Sequence, residues 1–140
     1  MLASTDRILT THVGSLPRSQ AVTDVLFARE NNGALPPDPD KVIRDAVAAI
    51  VAKQVEVGVD VVSDGEMGKI SYATYIKDRL SGFDGDTPRH PGQDLVDHPR
   101  LLEKLAKLGS TASYRRPKCV ADIRVKNLAP MQEDIANMKA

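Results

Sequence analysis

The sequence has no tryptophan, a single cysteine, few aromatic residues and no excess of charge of either sign. Because 19 basic residues balance 19 acidic ones, there is no electrostatic reason to expect nucleic acid or an anionic membrane as a partner. Cys119 is the only cysteine, which excludes an internal disulfide and fits a reducing compartment. With an aromatic content of 4%, the core must be built mainly from Val, Ile, Leu and Ala.

The sequence also lacks long apolar runs. The N-terminal segment has no apolar signal-peptide core, and every apolar run is shorter than the roughly 18–20 residues that cross a bilayer. We therefore expect a soluble, cytoplasmic protein. Its 140 residues suit one domain, and its hydrophobic content of 41% is ordinary for a globular protein.

Helical and extended patterns alternate along the chain, which indicates an α/β protein. Asp38 is predicted to cap the second helix and Gly58 to end it just before a Val-rich strand. The stretch 83–99 has no periodicity and is predicted to be irregular. Apolar spacing predicts helices over 21–29, 39–57, 70–80, 101–108 and 131–140, and β-branched runs predict strands over 8–13, 59–63 and 119–125.

The last predicted helix reaches the end of the sequence without a cap or a following strand. Two or three parallel strands cannot be covered on both faces, as a parallel sheet requires. We therefore expect an incomplete piece of a larger α/β protein, with two or three parallel strands, helices on one side and an exposed sheet edge.

The first candidate site follows the first predicted strand. Gly14 lets the backbone approach a ligand closely, and Ser15 offers both a hydroxyl and an amide. At the C-terminal end of a strand this pair suits a carboxylate or a phosphate, to which Arg18 could add charge-assisted bonds. A tight strand-to-loop turn is the alternative interpretation of the same residues.

The second candidate site follows the predicted strand 59–63. Asp64 and Glu66 are two carboxylates, two positions apart, that could hold an ammonium group, a metal or a proton. In barrels, active sites form at the C-terminal ends of strands. The alternative is a solvated turn in which Asp64 caps the next helix.

Together, these two segments resemble the catalytic C-terminal domain of cobalamin-independent methionine synthases and its shorter stand-alone relatives. The family's Gly-Ser-Phe/Leu-Pro motif is present as HVGSLPR over 12–18, and its second motif as GVDVVSDGE over 58–66. The segments 75–83 and 123–139 match more loosely. The resemblance implies that residues 1–140 are the N-terminal portion of a single methionine-synthase-like domain. Its fold would be an incomplete (β/α)₈ TIM barrel, comprising the first few βα units with a parallel sheet.

The resemblance also implies contacts with substrate. The family's first motif binds the amino-acid carboxylate of homocysteine or methionine through backbone and hydroxyl donors, and the Glu of its second motif accepts from the substrate ammonium. The roles of two residues that flank these positions are left open, and no catalytic residue is assigned. The candidate substrate-binding residues are therefore Val13, Gly14 and Ser15 for the carboxylate, Glu66 for the ammonium, and the flanking His12 and Asp64.

Members of the family activate the homocysteine thiol on zinc, held by a His-x-Cys motif, a Glu and a second Cys from later strands. Zinc lowers the pKa of the thiol, so that the nucleophile is a thiolate at neutral pH. This chain has no His-x-Cys, and we interpret Cys119 as a buried strand residue. Zinc is thus implied for the full-length family, with its ligands absent from this chain. The histidines and the cysteine are too scattered to form a ligand set: His12, His90, His98 and Cys119.

The resemblance implies a fragment of a zinc-dependent methyltransferase, similar to 5-methyltetrahydropteroyltriglutamate–homocysteine S-methyltransferase. It would move a methyl group from 5-methyltetrahydrofolate polyglutamate to homocysteine to make methionine, with these small molecules as its partners. Two alternatives remain open. One is a related zinc-dependent thiol alkyl transferase, similar to epoxyalkane:coenzyme M transferases, and the other is a truncated, non-catalytic product. The chain alone is expected to be inactive because it lacks the zinc ligands.

Overall fold

The computed structural model describes residues 3–85, 92–107 and 117–140. Over these ranges the protein is mainly helical, with one small sheet, and it forms two compact units. The first unit runs up to Lys69 and includes Leu128–Ala140, and the second is Ile70–Asn127. No helix within the described ranges is both long and apolar enough to cross a membrane. The elements are α1 (Gln20–Glu30), α2 (Pro39–Glu56), α3 (Tyr72–Arg79), β1 (Phe83–Asp84), α4 (Gln93–Val96), α5 (Pro99–Lys107), β2 (Lys118–Cys119) and α6 (Ala129–Lys139).

The first helix confirms its sequence pattern. The Ser19 side chain caps α1 by accepting a hydrogen bond from the Val22 amide, and the helix begins at the next residue. The apolar positions predicted to share a face, Val22, Val25 and Leu26, are all buried. Helix α1 packs against α2, whose Ile43 is also buried, so these two helices supply most of the apolar core of the first unit.

The sequence predicts the C-terminal end of α2 correctly but not the cap at its N-terminal end. Asp38 was expected to cap the helix, but its φ is 46° and its side chain makes no capping bond, because the left-handed backbone does not present the side chain as an extended cap residue does. Gly58 ends the helix as predicted. With φ of 82° it donates to the Val55 carbonyl at 3.0 Å while the Val59 amide donates to the Gln54 carbonyl at 2.9 Å, the hydrogen bonds of a Schellman motif.

The remaining predicted helices are present with small shifts at their ends, as α3, α5 and α6. Leu108, the last residue of one predicted helix, lies outside the described residues. The stretch 83–99, predicted to be irregular, contains the short β1 and α4, while its positions 86–91 also lie outside the described residues.

The predicted parallel sheet is wrong for the described part of the chain. The segments 8–13 and 59–63 lie side by side, but they share a single parallel bridge, between Thr11 and Val61. The amides of residues 60 and 61 both donate to the Thr10 carbonyl, at 3.2 and 3.0 Å. Because two successive amides use one carbonyl, the evenly spaced ladder of a parallel sheet does not develop.

The third predicted strand, 119–125, is also shorter than expected. Only β2 forms, and it pairs with β1 in an antiparallel register, Phe83 opposite Cys119. The two-stranded sheet leaves both β2 side chains exposed, so the interpretation of Cys119 as a buried residue is wrong. A ribbon of two residues per strand has no second layer to cover that side chain.

Side chains, more than a ladder, hold segment 8–13 beside segment 59–63. The Asp60 carboxylate accepts two hydrogen bonds from the Arg7 guanidinium, and it also accepts from the Thr10 amide at 2.8 Å and the Thr10 hydroxyl at 3.0 Å. The Arg7 bond and then the Thr10 amide hold the pKa of the Asp60 carboxyl well below its usual range. Asp60 therefore joins the two segments as an anion.

Asp60→Asn is expected to lower the urea midpoint of unfolding at pH 7. Because the folded-state pKa is depressed, Asp60 contributes stability above about pH 4, and this stability is lost as the pH falls toward the folded-state value. The variant should therefore also show a weaker loss of stability in acid. Asp45→Asn, which removes an exposed partner of Lys41, is the control and should change the pH 7 midpoint little. An unchanged acid dependence in Asp60→Asn would contradict the assignment.

Candidate functional site

The candidate site is built on a tight turn that follows segment 59–63. Gly65 and Glu66 have φ of 59° and 57°, and the Met67 amide donates to the Asp64 carbonyl at 3.2 Å, as in a type I′ turn. Glycine adopts this conformation freely, whereas a residue with a side chain is strained there by about 1–2 kcal/mol. The contacts around Glu66 must therefore hold its backbone in this conformation.

Asp64 closes this turn through its side chain. One carboxylate oxygen accepts from the Glu66 amide at 2.9 Å, and the other accepts from the Lys69 ammonium at 2.7 Å. Partial burial raises the pKa of Asp64, but the bonds from Lys69 and the Glu66 amide outweigh it, and the pKa lies below its usual value. Sequence reasoning left the role of Asp64 open. The geometry makes it an anionic anchor for the backbone of Glu66.

Two residues of this ion cluster were missed by sequence reasoning. Lys69 is largely buried, and its ammonium also lies 3.9 Å from a carboxylate oxygen of Asp134 in α6. The signal for Lys69 was its position, three residues after Glu66, where a basic side chain can fold back over a turn. No local signal marks Asp134, because its place depends on the packing of α6 against α2.

Gln54, also missed, fixes the start of the turn. Its side chain is buried in α2, yet both ends of the amide are satisfied by Ser63: the amide nitrogen donates to the Ser63 carbonyl at 2.7 Å, and the amide oxygen accepts from the Ser63 amide at 3.0 Å. A buried amide with both ends bonded holds its partner in one position. The turn therefore begins from a fixed point on α2.

The structure brings the two predicted segments together at Ser15 and Glu66. The Ser15 hydroxyl and a carboxylate oxygen of Glu66 are 2.5 Å apart, although 51 positions separate the residues. Gly14 has φ of 99° and no atom within 4 Å of where a side chain would begin, so the space beside it is open. Among the described residues, no acceptor takes the amides of Gly14 or Ser15. The Ser15 hydroxyl and the Glu66 carboxylate thus lie at one place.

Arg18 was expected to add bonds to a ligand, but its guanidinium serves the protein's own backbone. It donates to the carbonyls of Glu66 at 2.9 Å and Lys69 at 2.8 Å, and to the Ser15 hydroxyl at 3.1 Å. Burial lowers the pKa of Arg18, while the charges of Glu66 and Asp64 act in the opposite direction. Arg18 therefore holds the Gly14–Ser15 loop against the turn.

The two other candidate residues take no part in these contacts. His12 is half-buried, and its Nε2 atom is buried without a hydrogen-bond partner in the described part of the chain. Val13 is 86% exposed. A substrate-binding role for either residue stays a prediction.

The described residues do not fit the zinc ion that the resemblance implies. Nowhere in residues 3–85, 92–107 and 117–140 do three His, Cys, Asp or Glu side chains group as metal ligands. Cys119 is exposed in the second unit, and His90 lies outside the described residues.

Comparisons with known proteins match the same part of the chain. A sequence model of the family described as "Cobalamin-independent synthase, Catalytic domain" matches residues 8–89, which include both candidate segments. A methionine synthase of Sulfolobus acidocaldarius is 32% identical over 117 residues, covering 75% of this chain and 34% of that protein. A methionine synthase of Saccharolobus solfataricus is 26% identical over 125 residues, covering 89% of this chain and 32% of that protein. The chain therefore spans about a third of the length of these curated relatives.

Gly65→Ala is expected to destabilise the turn more than a left-handed backbone alone would. Its new side chain would lie 3.1 Å from Leu16 and 3.3 Å from Ile50 in addition to straining the backbone, for a total of about 2–3 kcal/mol. Gly58→Ala is the matched control, because Gly58 also has a positive φ but has no atom within 4 Å, and it should cost only the backbone strain of about 1–2 kcal/mol. Chemical denaturation of both variants measures the difference. Equal losses would show that Leu16 does not pack on the turn.

The metal prediction is that the purified chain binds zinc only weakly and without defined stoichiometry. Built structural zinc sites bind with about 10–16 kcal/mol, and this affinity needs three or four preformed ligands. Elemental analysis after dialysis measures the bound metal, with Cys119→Ser as the comparison. One tightly held zinc per chain that is lost in Cys119→Ser would overturn the prediction.

Proposed function

The chain belongs to the cobalamin-independent methionine synthase family, and on that premise we propose that it is part of a methyltransferase that makes methionine from homocysteine. The methyl donor would be 5-methyltetrahydrofolate polyglutamate. Relatives named methionine synthase support the reaction class. We further propose that the chain contributes the first βα units of a TIM barrel and that the protein is cytoplasmic.

The observation that carries the proposal is the meeting of Ser15 and Glu66. An amino acid carries a carboxylate and an ammonium on one carbon, so its recognition needs donors and an acceptor a few ångströms apart. The amides of Gly14 and Ser15, which no acceptor takes among the described residues, would supply the donors, and the Glu66 carboxylate would supply the acceptor. We assign the substrate carboxylate to these amides and the substrate ammonium to Glu66.

The surrounding residues support this assignment by holding the two halves of the site in register. Arg18 bonds to both the loop and the turn, and the Leu16 amide donates to the Gly65 carbonyl at 3.0 Å. Preorganised groups bind without an ordering cost, which favours affinity for a small substrate. The contribution of this chain is thus to bind and orient the amino-acid end of the thiol substrate.

The charge of the site favours homocysteine over coenzyme M, the thiol used by the alkyl transferases of the first alternative. Coenzyme M carries a sulfonate and no ammonium group, so Glu66 would face no cation and would lie near an anion. The like charges of a sulfonate and the buried Glu66 carboxylate would repel each other. A non-catalytic product, the second alternative, could keep the same site as a weak amino-acid binding module.

Glu66→Gln, made in the protein that carries this segment, should raise KM for homocysteine about 10- to 100-fold, because a charge-assisted bond worth about 1.5–3 kcal/mol is lost. KM for the methyl-folate should change less. Steady-state kinetics with each substrate varied in turn measures both constants. Glu56→Gln is the control, since Glu56 lies exposed on α2 and pairs with Lys53. A change confined to the folate KM would contradict the assignment of Glu66.

A further inference from the structure

Asn32 and Gly33 form the one pair in the sequence in which a glycine follows an asparagine. Asparagine is among the thermally labile residues of proteins, because the nitrogen of the following peptide bond can attack its side-chain carbonyl carbon. Glycine hinders this attack least, since it has no side chain. Both residues are exposed to water. The other three asparagines are followed by larger residues: Asn31 by Asn32, Asn127 by Leu128 and Asn137 by Met138.

This pair lies in the turn that ends α1. Asn32 has a left-handed φ of 51°. Its amide donates to the Arg29 carbonyl at 3.4 Å, and the Gly33 amide donates to the Ala28 carbonyl at 2.8 Å, which are the two hydrogen bonds of a Schellman motif. The nitrogen that would attack Asn32 is therefore held in a helix cap, with its proton donated to a carbonyl.

We propose that Asn32 is a site of covalent modification, at which deamidation through a succinimide gives aspartate and isoaspartate, and that the end of α1 controls its rate. The Gly33 nitrogen gives up its proton to a base and bonds to the side-chain carbonyl carbon of Asn32. The bond from that carbon to the side-chain nitrogen breaks, and this nitrogen takes up a proton and leaves as ammonia. Water then opens the ring at either of its two carbonyl carbons, so the reaction needs no oxidant or reductant.

The hydrogen bond between Gly33 and Ala28 must break before this reaction. While the bond is made, the amide proton is held by a carbonyl and the nitrogen cannot turn toward the Asn32 side chain. The ends of helices open locally at a much smaller cost in free energy than unfolding of the whole protein. The reaction rate in the folded protein is therefore the rate in the open turn multiplied by the fraction of time that the turn is open.

The two products fit the end of α1 less well than asparagine does. Each adds a carboxylate at the C-terminal end of a helix, where the helix dipole disfavours negative charge. Isoaspartate also carries the main chain through its side chain, which lengthens the backbone and moves Gly33 away from Ala28. Because α1 buries Val25 and Leu26 in the core of the first unit, we expect the modification to lower the free energy of unfolding.

The full chain, either folded or unfolded in urea, is kept in mildly alkaline buffer while peptide mapping by mass spectrometry follows each asparagine. Fragmentation that distinguishes isoaspartate from aspartate identifies the route, since only a succinimide gives both. Gly33→Ala tests the chemistry: the new side chain would lie 3.6 Å from Ala28, an ordinary contact, so the cap is kept while the nitrogen is hindered. Ala28→Gly tests the control by α1, because it weakens the last turn of the helix and keeps the carbonyl. Ala136→Gly makes the same change at an exposed position of α6 and is the matched control.

In the unfolded chain Asn32 is expected to be modified before the other three asparagines, and Gly33→Ala should slow its modification. In the folded chain the rate at Asn32 should be lower by about tenfold or more. Ala28→Gly should raise the folded-state rate about threefold to sixfold, the effect of Gly in place of Ala in a helix, and Ala136→Gly should leave it unchanged. The modified protein should unfold at a lower urea concentration. Asn32→Gly, which suits the left-handed turn and has no side-chain amide, should show no such loss with time.

The assignment of the site is overturned if Asn127 or Asn137 is modified before Asn32 in the unfolded chain, or if Asn32 gives aspartate alone. The control by α1 is overturned if the folded and unfolded chains react at the same rate, or if Ala28→Gly and Ala136→Gly have equal effects. These measurements do not involve homocysteine or the methyl donor, so the proposed function stands or fails independently of them.

Discussion

The position of the Glu66 carboxylate depends on a turn that passes through two consecutive left-handed residues, and this turn is stable only because other groups close it. Asp64 binds the Glu66 amide from within the turn, and Arg18 binds the Glu66 carbonyl from the neighbouring loop. Both backbone groups of the strained residue are therefore bonded. Strain of this kind persists in proteins where the surroundings over-determine it, and it concentrates at functional sites.

In this protein, polar side chains hold the two extended segments together, a role that the backbone hydrogen bonds of a sheet have in a complete α/β domain. Asp60 binds the amide and hydroxyl of Thr10 and the guanidinium of Arg7, and Gln54 binds both backbone groups of Ser63. These bonds connect residues whose amides would otherwise need ladder partners. They explain how segments 8–13 and 59–63 stay side by side with one bridge between them. The residues around the site are thus held in place although the parallel sheet is absent from the described residues.

The arrangement also explains why a short segment of a larger family can retain a coherent site. The candidate site is formed by two loops that lie close together in the first unit, and the residues that hold them come from the same unit.

The sequence by itself determined the helices, the family and the two segments that meet in the site. Apolar spacing marked the buried face of α1, and Gly58 marked the end of α2, because both signals act between near neighbours in the chain. The tertiary structure alone decided that the Asp38 side chain makes no capping bond, that the parallel ladder stops at one bridge and that Arg18 binds the backbone. It also placed Asp134 beside the Lys69 ammonium. These outcomes rest on hydrogen bonds and ion pairs between residues about 50 or more positions apart or on one backbone angle, and a local pattern of residue types does not encode either.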